Sequence, residues 1–171
     1  EVLHHEADLE PLFTGNPFVV ALPTDPKRRK TRGYEIPPAI FGPYLKKHAM
    51  ILTQALWRQK ATKPQYGLSR AERRENLLGS FAFHPVKLDG TVIVIDDIAT
   101  TGASLEEAAR LLKEGGAEKV VGLVLASNAP MASVSNLADG KEFKLIGSLS
   151  SRYAFTHVAL ELDFFKTGPF R

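Results

Sequence analysis

Residues 92–104, VIVIDDIATTGAS, constrain this chain more than any other stretch. Val92, Ile93, Val94 and Ile95 form a continuous β-branched run, the pattern of a strand buried on both faces of a parallel sheet. Asp96 and Asp97 end the run, at the point where the strand is expected to leave the sheet. Thr100, Thr101, Gly102, Ala103 and Ser104 then make a small, hydroxyl-rich turn. Ser104, Leu105, Glu106 and Glu107 have the spacing of a capping box at a helix start. Backbone N–H groups at such a junction, together with the helix dipole and the hydroxyls, make a cradle for one phosphate. The neighbouring carboxylates can accept hydrogen bonds from a vicinal diol and can hold Mg²⁺ directly or through water. A phosphate with a diol beside it describes a ribose 5-phosphate.

The chain around this element is of ordinary globular make-up, with 171 residues, 44% hydrophobic and 24% charged. It has no cysteine, which excludes disulfides and cysteine–zinc sites. A net charge of +3 and a pI near 9.2 permit a phosphate-rich ligand or a nucleic acid without requiring either. No apolar run is long enough to span a bilayer and residues 1–10 lack a signal-peptide pattern, so the expectation is a cytoplasmic protein with no membrane partner. The absence of an initiator Met points to a longer chain or to processing.

Residues 1–16 form an N-terminal segment, read as a short helix around Leu3, Leu9 and Leu12. Residues 18–22 (FVVAL) read as a first buried strand. Lys27, Arg28, Arg29, Lys30 and Arg32 follow as the densest positive run, read as a solvated loop, a pyrophosphate clamp or a nucleic-acid contact. A helix is predicted over 36–48, ended, kinked or restarted at Pro43. Met50, Ile51 and Leu52 are a candidate strand. Residues 56–67 are basic and polar, broken by Pro64 and Gly67, and are predicted to be a mobile loop. Ser69 and Glu72 make a second capping box, opening a helix to about Leu78, and a short strand covers 81–83. After the central element, Leu105, Ala108, Ala109, Leu111 and Leu112 line one helix face, Gly115 and Gly116 stop that helix, and 119–126 read as a strand parallel to the central one through a right-handed crossover. Residues 127–140 read as a linker, and 143–146 with 158–164 as a β-hairpin turning near 150–152.

DDIATTGAS resembles the phosphoribosyl-pyrophosphate (PRPP) loop of type I phosphoribosyltransferases. Within that superfamily the chain is similar to the competence-protein ComF family. The family's R-x-basic-x-T-x-x-Q loop and R-x-x-N helix, followed by Phe, match Arg58, Lys60, Thr62, Gln65, Leu68, Arg73, Asn76 and Phe81 in order. Its RGF segment resembles Arg32, Gly33 and Tyr34. The resemblance covers roughly 18–126 and implies an α/β, type I phosphoribosyltransferase fold: a central, mainly parallel sheet flanked by helices, here with a C-terminal β extension. The domain reading is 1–16, then a phosphoribosyltransferase-like domain over 17–126, then the extension over 127–171. Three departures stand out. The cysteine zinc module common in the family is absent, Ala21-Leu22-Pro23 replaces a Pro-Val-Pro element, and the tail runs past the usual end. Thr100 also stands where purine-salvage members carry an Asp that serves as base.

The resemblance implies PRPP or another ribose 5-phosphate on Asp96, Asp97, Ala99, Thr100, Thr101, Gly102, Ala103 and Ser104, with Mg²⁺ on Asp96 and Asp97. It implies catalytic roles for Arg58, Lys60 and Asp97, and pyrophosphate or nucleic-acid contacts from Arg32, Lys63 and Arg73. The preferred reading is a transferase passing the phosphoribosyl group to an unidentified acceptor, with a homodimer allowed. The alternative is an accessory protein of natural competence that binds single-stranded DNA, with Trp57 or Tyr66 stacking on a base unless Trp57 is core. A weaker third reading is a PRPP sensor without catalysis.

Overall fold

The computed structural model describes residues 6–60, 67, 69–99, 102–127, 142–150 and 155–161. The β-branched run lies at the centre of the sheet as β4 (Thr91–Ala99). It pairs in parallel with β1 (Phe18–Ala21) on one side and β5 (Lys119–Ser127) on the other, Val92 standing opposite Phe18 and Val120. Beyond β5 the sheet turns antiparallel. β7 (Phe155–Glu161) pairs with β5, and β6 (Glu142–Ser150) pairs with β7, giving the order β1-β4-β5-β7-β6. The tail's two strands thus extend the main sheet, while the linker at 128–141 and the turn at 151–154 lie outside the described residues.

Alternation along β4 builds two cores. Val92 and Val94, with Val20, Val120 and Val124, pack under α5 (Ala103–Glu114) through Leu105, Ala108, Ala109 and Leu112. The same layer holds the two-stranded ribbon of β2 (Leu56–Arg58) and β3 (Phe81–Phe83). Ile93 and Ile95 face the other way, onto Leu9 and Phe13 of α1 (Glu6–Phe13) and Phe41, Tyr44 and Leu45 of α3 (Ile36–Lys47). Burial on both faces is why the central run reads as continuous rather than alternating.

Several local expectations change. Residues 26–32 form a helix, α2 (Pro26–Arg32), not a loop: Asp25 accepts from the N–H groups of Lys27 and Arg28, Pro26 opens the first turn, and Gly33 closes the last at φ 80°. α3 continues through Pro43, because Phe41 on one side and Tyr44 and Leu45 on the other are buried and hold it in place. The candidate strand at 50–52 reduces to one parallel bridge between Leu52 and Val19; Ile51 is 82% exposed and has no face to bury. Residues 56–58, expected to begin a mobile loop, are strand β2; Lys60 follows it and 61–66 lie outside the described residues.

The capping box at α4 (Arg70–Leu77) forms as expected, with Ser69 N–H donating to Glu72 at 2.8 Å and Glu72 N–H donating to the Ser69 hydroxyl at 3.3 Å. Ser69→Ala should lower Tm by about 2–4 °C in calorimetry, the effect of one lost cap in a chain of this size. An unchanged Tm would mean that the cap does not hold the helix.

Candidate functional site

The carboxyl ends of β1 and β4 define the site. β1 stops opposite Ile95 while β4 runs on beside the longer β5, Asp96 pairing with Val124 and Ala99 with Ser127. Asp96 and Asp97 therefore do not end the strand, as the sequence suggests. They sit on its last, partly buried stretch, beyond the pairing with β1, because the ladder with β5 keeps that stretch extended. Ala99 is the buried final residue of β4.

Asp96 continues the parity of Val92 and Val94 and so emerges on the face that carries β2 and β3. There Arg58 lies over the Phe81 ring, 5.1 Å from its centroid. Burial holds the Arg58 guanidinium below its ordinary pKa, Asp25 and Asp96 pull it back up, and Arg28 pushes it further down. These fields bring Asp25, Arg28, Arg58 and Asp96 into one cluster at the head of the sheet. Arg58 is thus anchored in a strand rather than carried on a loop. Arg28 comes from the basic run read from the sequence as a solvated loop, a pyrophosphate clamp or a nucleic-acid contact; Asp25 belongs to no motif, and Asp25-Pro26, a cap followed by a first-turn proline, is the one signal that places it.

Both acidic side chains make local bonds. Asp97 N–H donates to Asp96 Oδ1 and Ile98 N–H to Asp97 Oδ1, each at 2.9 Å. Burial and the neighbouring Asp97 push the Asp96 carboxyl up to about 8, against the pull of the Asp97 N–H and Arg58. Each carboxylate keeps an oxygen not used in these bonds. Two adjacent carboxylates of this kind suit a hydrated Mg²⁺ that takes its remaining ligands from a bound phosphate ester. Among the described residues no group of three or more His, Asp or Glu side chains forms a cage made of protein alone.

Gly102 opens α5 in the left-handed region, φ 76°, and no side chain caps the helix. The expected capping box at Ser104 is absent. Ser104 lies inside the first turn, and Glu107 is buried, receiving the Gly79 N–H at 2.8 Å and a two-pronged bond from Arg110 at 2.9 and 3.0 Å. Thr100, Thr101 and Lys63 lie outside the described residues. Arg73 lies on α4, and Arg32 in the last turn of α2. Trp57 is not core: it points outward from β2 at 38% exposure, its ring 4.1 Å from that of His84. Tyr66 is outside the described residues.

The phosphoribosyl transferase domain family matches residues 61–142. The DNA utilization protein YhgH of Escherichia coli K12 is 29% identical over 103 residues, which is 60% of this chain and 45% of that protein. Competence protein F of Haemophilus influenzae is 36% identical over 72 residues, 40% of this chain and 31% of its own length. The matched region spans less than half the length of these relatives. No described helix is long and apolar enough to cross a membrane.

Proposed function

We propose, for a chain that belongs to the ComF-like phosphoribosyltransferase-type family, that it binds PRPP with Mg²⁺ and transfers the phosphoribosyl group to an acceptor. One observation carries the reading: Asp96 and Asp97 stand at the carboxyl end of the central strand, just before the glycine-opened helix α5, with Arg58 within electrostatic reach of Asp96. The 5-phosphate would rest on residues 100–104 and the ribose hydroxyls on Asp96 and Asp97. The C1–O bond to pyrophosphate breaks, its electron pair leaving with pyrophosphate, and the acceptor's lone pair forms the new bond to C1. Arg58, with Lys60, Lys63 and Arg73 from the adjoining segments, would steady the departing charge, and Arg32 would add to it from α2. Mg²⁺, when bound, supplies charge neutralisation to the pyrophosphate. Thr100 cannot serve as a base at neutral pH, so the acceptor is one that needs none from this loop. A cytoplasmic location goes with this reading, and the oligomeric state is open to a homodimer.

A second reading rests on a different observation. α2 displays Lys27, Arg29 and Lys30 with no buried residue, and Trp57 offers an exposed ring beside His84. Such a surface suits the backbone and bases of single-stranded DNA, and relatives bear names referring to DNA utilization and competence. The two readings separate by titration. PRPP with Mg²⁺ should bind wild type, and should bind the variant with Lys27, Arg29 and Lys30 all changed to Gln almost as well; Arg28 is left intact because it lies beside Arg58. Single-strand binding should weaken in that variant, its log–log salt slope shrinking by about 0.7 per lost phosphate contact. Wild type that ignores PRPP with Mg²⁺ yet binds an oligonucleotide steeply would sink the transferase reading. Binding of PRPP without turnover of any acceptor would leave the sensor.

A further inference from the structure

Among the described residues, the buried polar side chains are Ser80 and Glu107, and both lie at one junction. Glu107 belongs to α5, the helix that the phosphate loop opens. It reaches across to the turn between α4 and β3, where it accepts the Gly79 N–H at 2.8 Å. Arg110 fixes its carboxylate from the same helix and is itself fixed by Glu114 at 2.7 Å. The turn passes the connection on. The Gly79 and Phe81 carbonyls accept from the Gln59 amide at 3.1 and 3.3 Å, and the Ser80 carbonyl accepts the Gln59 and Lys60 N–H groups at 2.9 and 3.4 Å. A Cβ on Gly79 would stand 3.8 Å from the Lys60 ammonium. An unbroken path of bonds thus runs from α5 to the root of the basic segment that follows β2.

We infer that Glu107 is a positioning residue that couples α5, the helix opened at Gly102, to Lys60. This rests on the PRPP reading, since α5 follows directly on the residues assigned to the 5-phosphate and Lys60 is among those assigned to the pyrophosphate. A buried carboxylate is costly unless it is paired, and Arg110 meets that cost within α5. The bond to Gly79 is then the part that joins two elements.

The first test needs no ligand. In native-state hydrogen exchange, Glu107→Ala should speed exchange of the Gln59 and Lys60 amides about tenfold, while Val94 and Leu123 in the sheet hold their rates. Glu107→Gln, which still offers an oxygen to Gly79, should stay within about threefold of wild type. Ser80→Ala is the control, because the Ser80 side chain takes no part in the path. Unchanged rates at Gln59 and Lys60, or equal acceleration throughout the sheet, would overturn the inference.

The second test compares PRPP with ribose 5-phosphate, both with Mg²⁺. Glu107→Ala, and Gln59→Ala from the exposed end of the path, should weaken PRPP about tenfold. Ribose 5-phosphate, which lacks the pyrophosphate, should change by less than about threefold. If Glu107→Ala does not fold, Gln59→Ala alone decides. Equal loss of both ligands would overturn the coupling. Wild type that binds neither would overturn the PRPP reading, and the exchange rates would still decide the link between Glu107 and Lys60.

Discussion

Replacing Asp96 and Asp97 together with Asn is expected to weaken PRPP binding in Mg²⁺ by about 100-fold, the loss of two charge-assisted contacts, and to raise stability at the same time. The opposite signs follow from the geometry. Each carboxylate already receives one backbone N–H, so Asn can keep that bond through its carbonyl while giving up the charge. What disappears is the cost of burying the Asp96 charge and, after it, the repulsion from the neighbouring Asp97. Asp96 sits at about 8 in the folded chain against an ordinary value near 3.8. The folded state therefore holds a proton that the unfolded state releases. Its contribution is fully present below about pH 4 and is lost as pH rises through about 8. In EDTA at pH 8 the variant should gain on the order of 1–2 kcal/mol, a figure kept below the full shift because the Asn side chain also gives up the attraction of Arg58. Urea unfolding at pH 5 and 8, with isothermal titration of PRPP, checks both halves. Retained PRPP affinity would remove the carboxylates from the site.

That pair of acids was legible because strand, acids, glycine turn and helix fall in order, each with its own chemistry. Their exact setting was not. Whether Asp96 ends a strand depends on the length of β5, whose Val124 pairs with it from 28 residues further along the chain. Glu107 shows the same limit. Its spacing from Ser104 is that of a local cap, yet its partner is Gly79, 28 residues back along the chain. Trp57 and Arg58 read as loop in the sequence because three residues carry too little periodicity to announce a strand; their strand comes from pairing with Phe81 to Phe83 across the ribbon. Arg58 could be named by resemblance, but its place over Phe81 and beside Asp25, Arg28 and Asp96 needed the fold. α2 was legible in hindsight from Asp25-Pro26 and Gly33, signals outweighed by the conspicuous charge between them.

Gly115→Ala is expected to be among the most damaging single substitutions in the chain, lowering stability by about 2–3 kcal/mol through overpacking. The sequence makes Gly115 look like a helix stop, a role served by a left-handed backbone. Its φ is an ordinary −77°, which alanine adopts freely. On conformational grounds alone, alanine there would stabilise by about 0.4–1 kcal/mol. Packing reverses the sign. A Cβ on Gly115 would lie 2.4 Å from the Phe83 ring edge, with two further ring atoms at 2.7 and 2.8 Å. The half-buried ring packs on the core beneath α5, and its three contacted tip atoms must shift together against that packing. A shift of about 5–10 °C in Tm follows for a domain of this size. The contact also bears on the candidate site, because Phe83 ends the ribbon that carries Arg58, and Gly115 follows the helix that opens at Gly102. Phe83→Leu should cost about 1–2 kcal/mol alone, by leaving a gap, yet should recover more than half of the loss when combined with Gly115→Ala. That non-additivity is the signature of one shared contact. Gly116, at φ 106° with the Leu88 carbonyl 3.0 Å from its would-be Cβ, should show no such rescue by Phe83→Leu. A Gly115→Ala variant as stable as wild type would mean that β3 and α5 separate readily, and that the ribbon is not held against the helix in the way the Glu107 path requires.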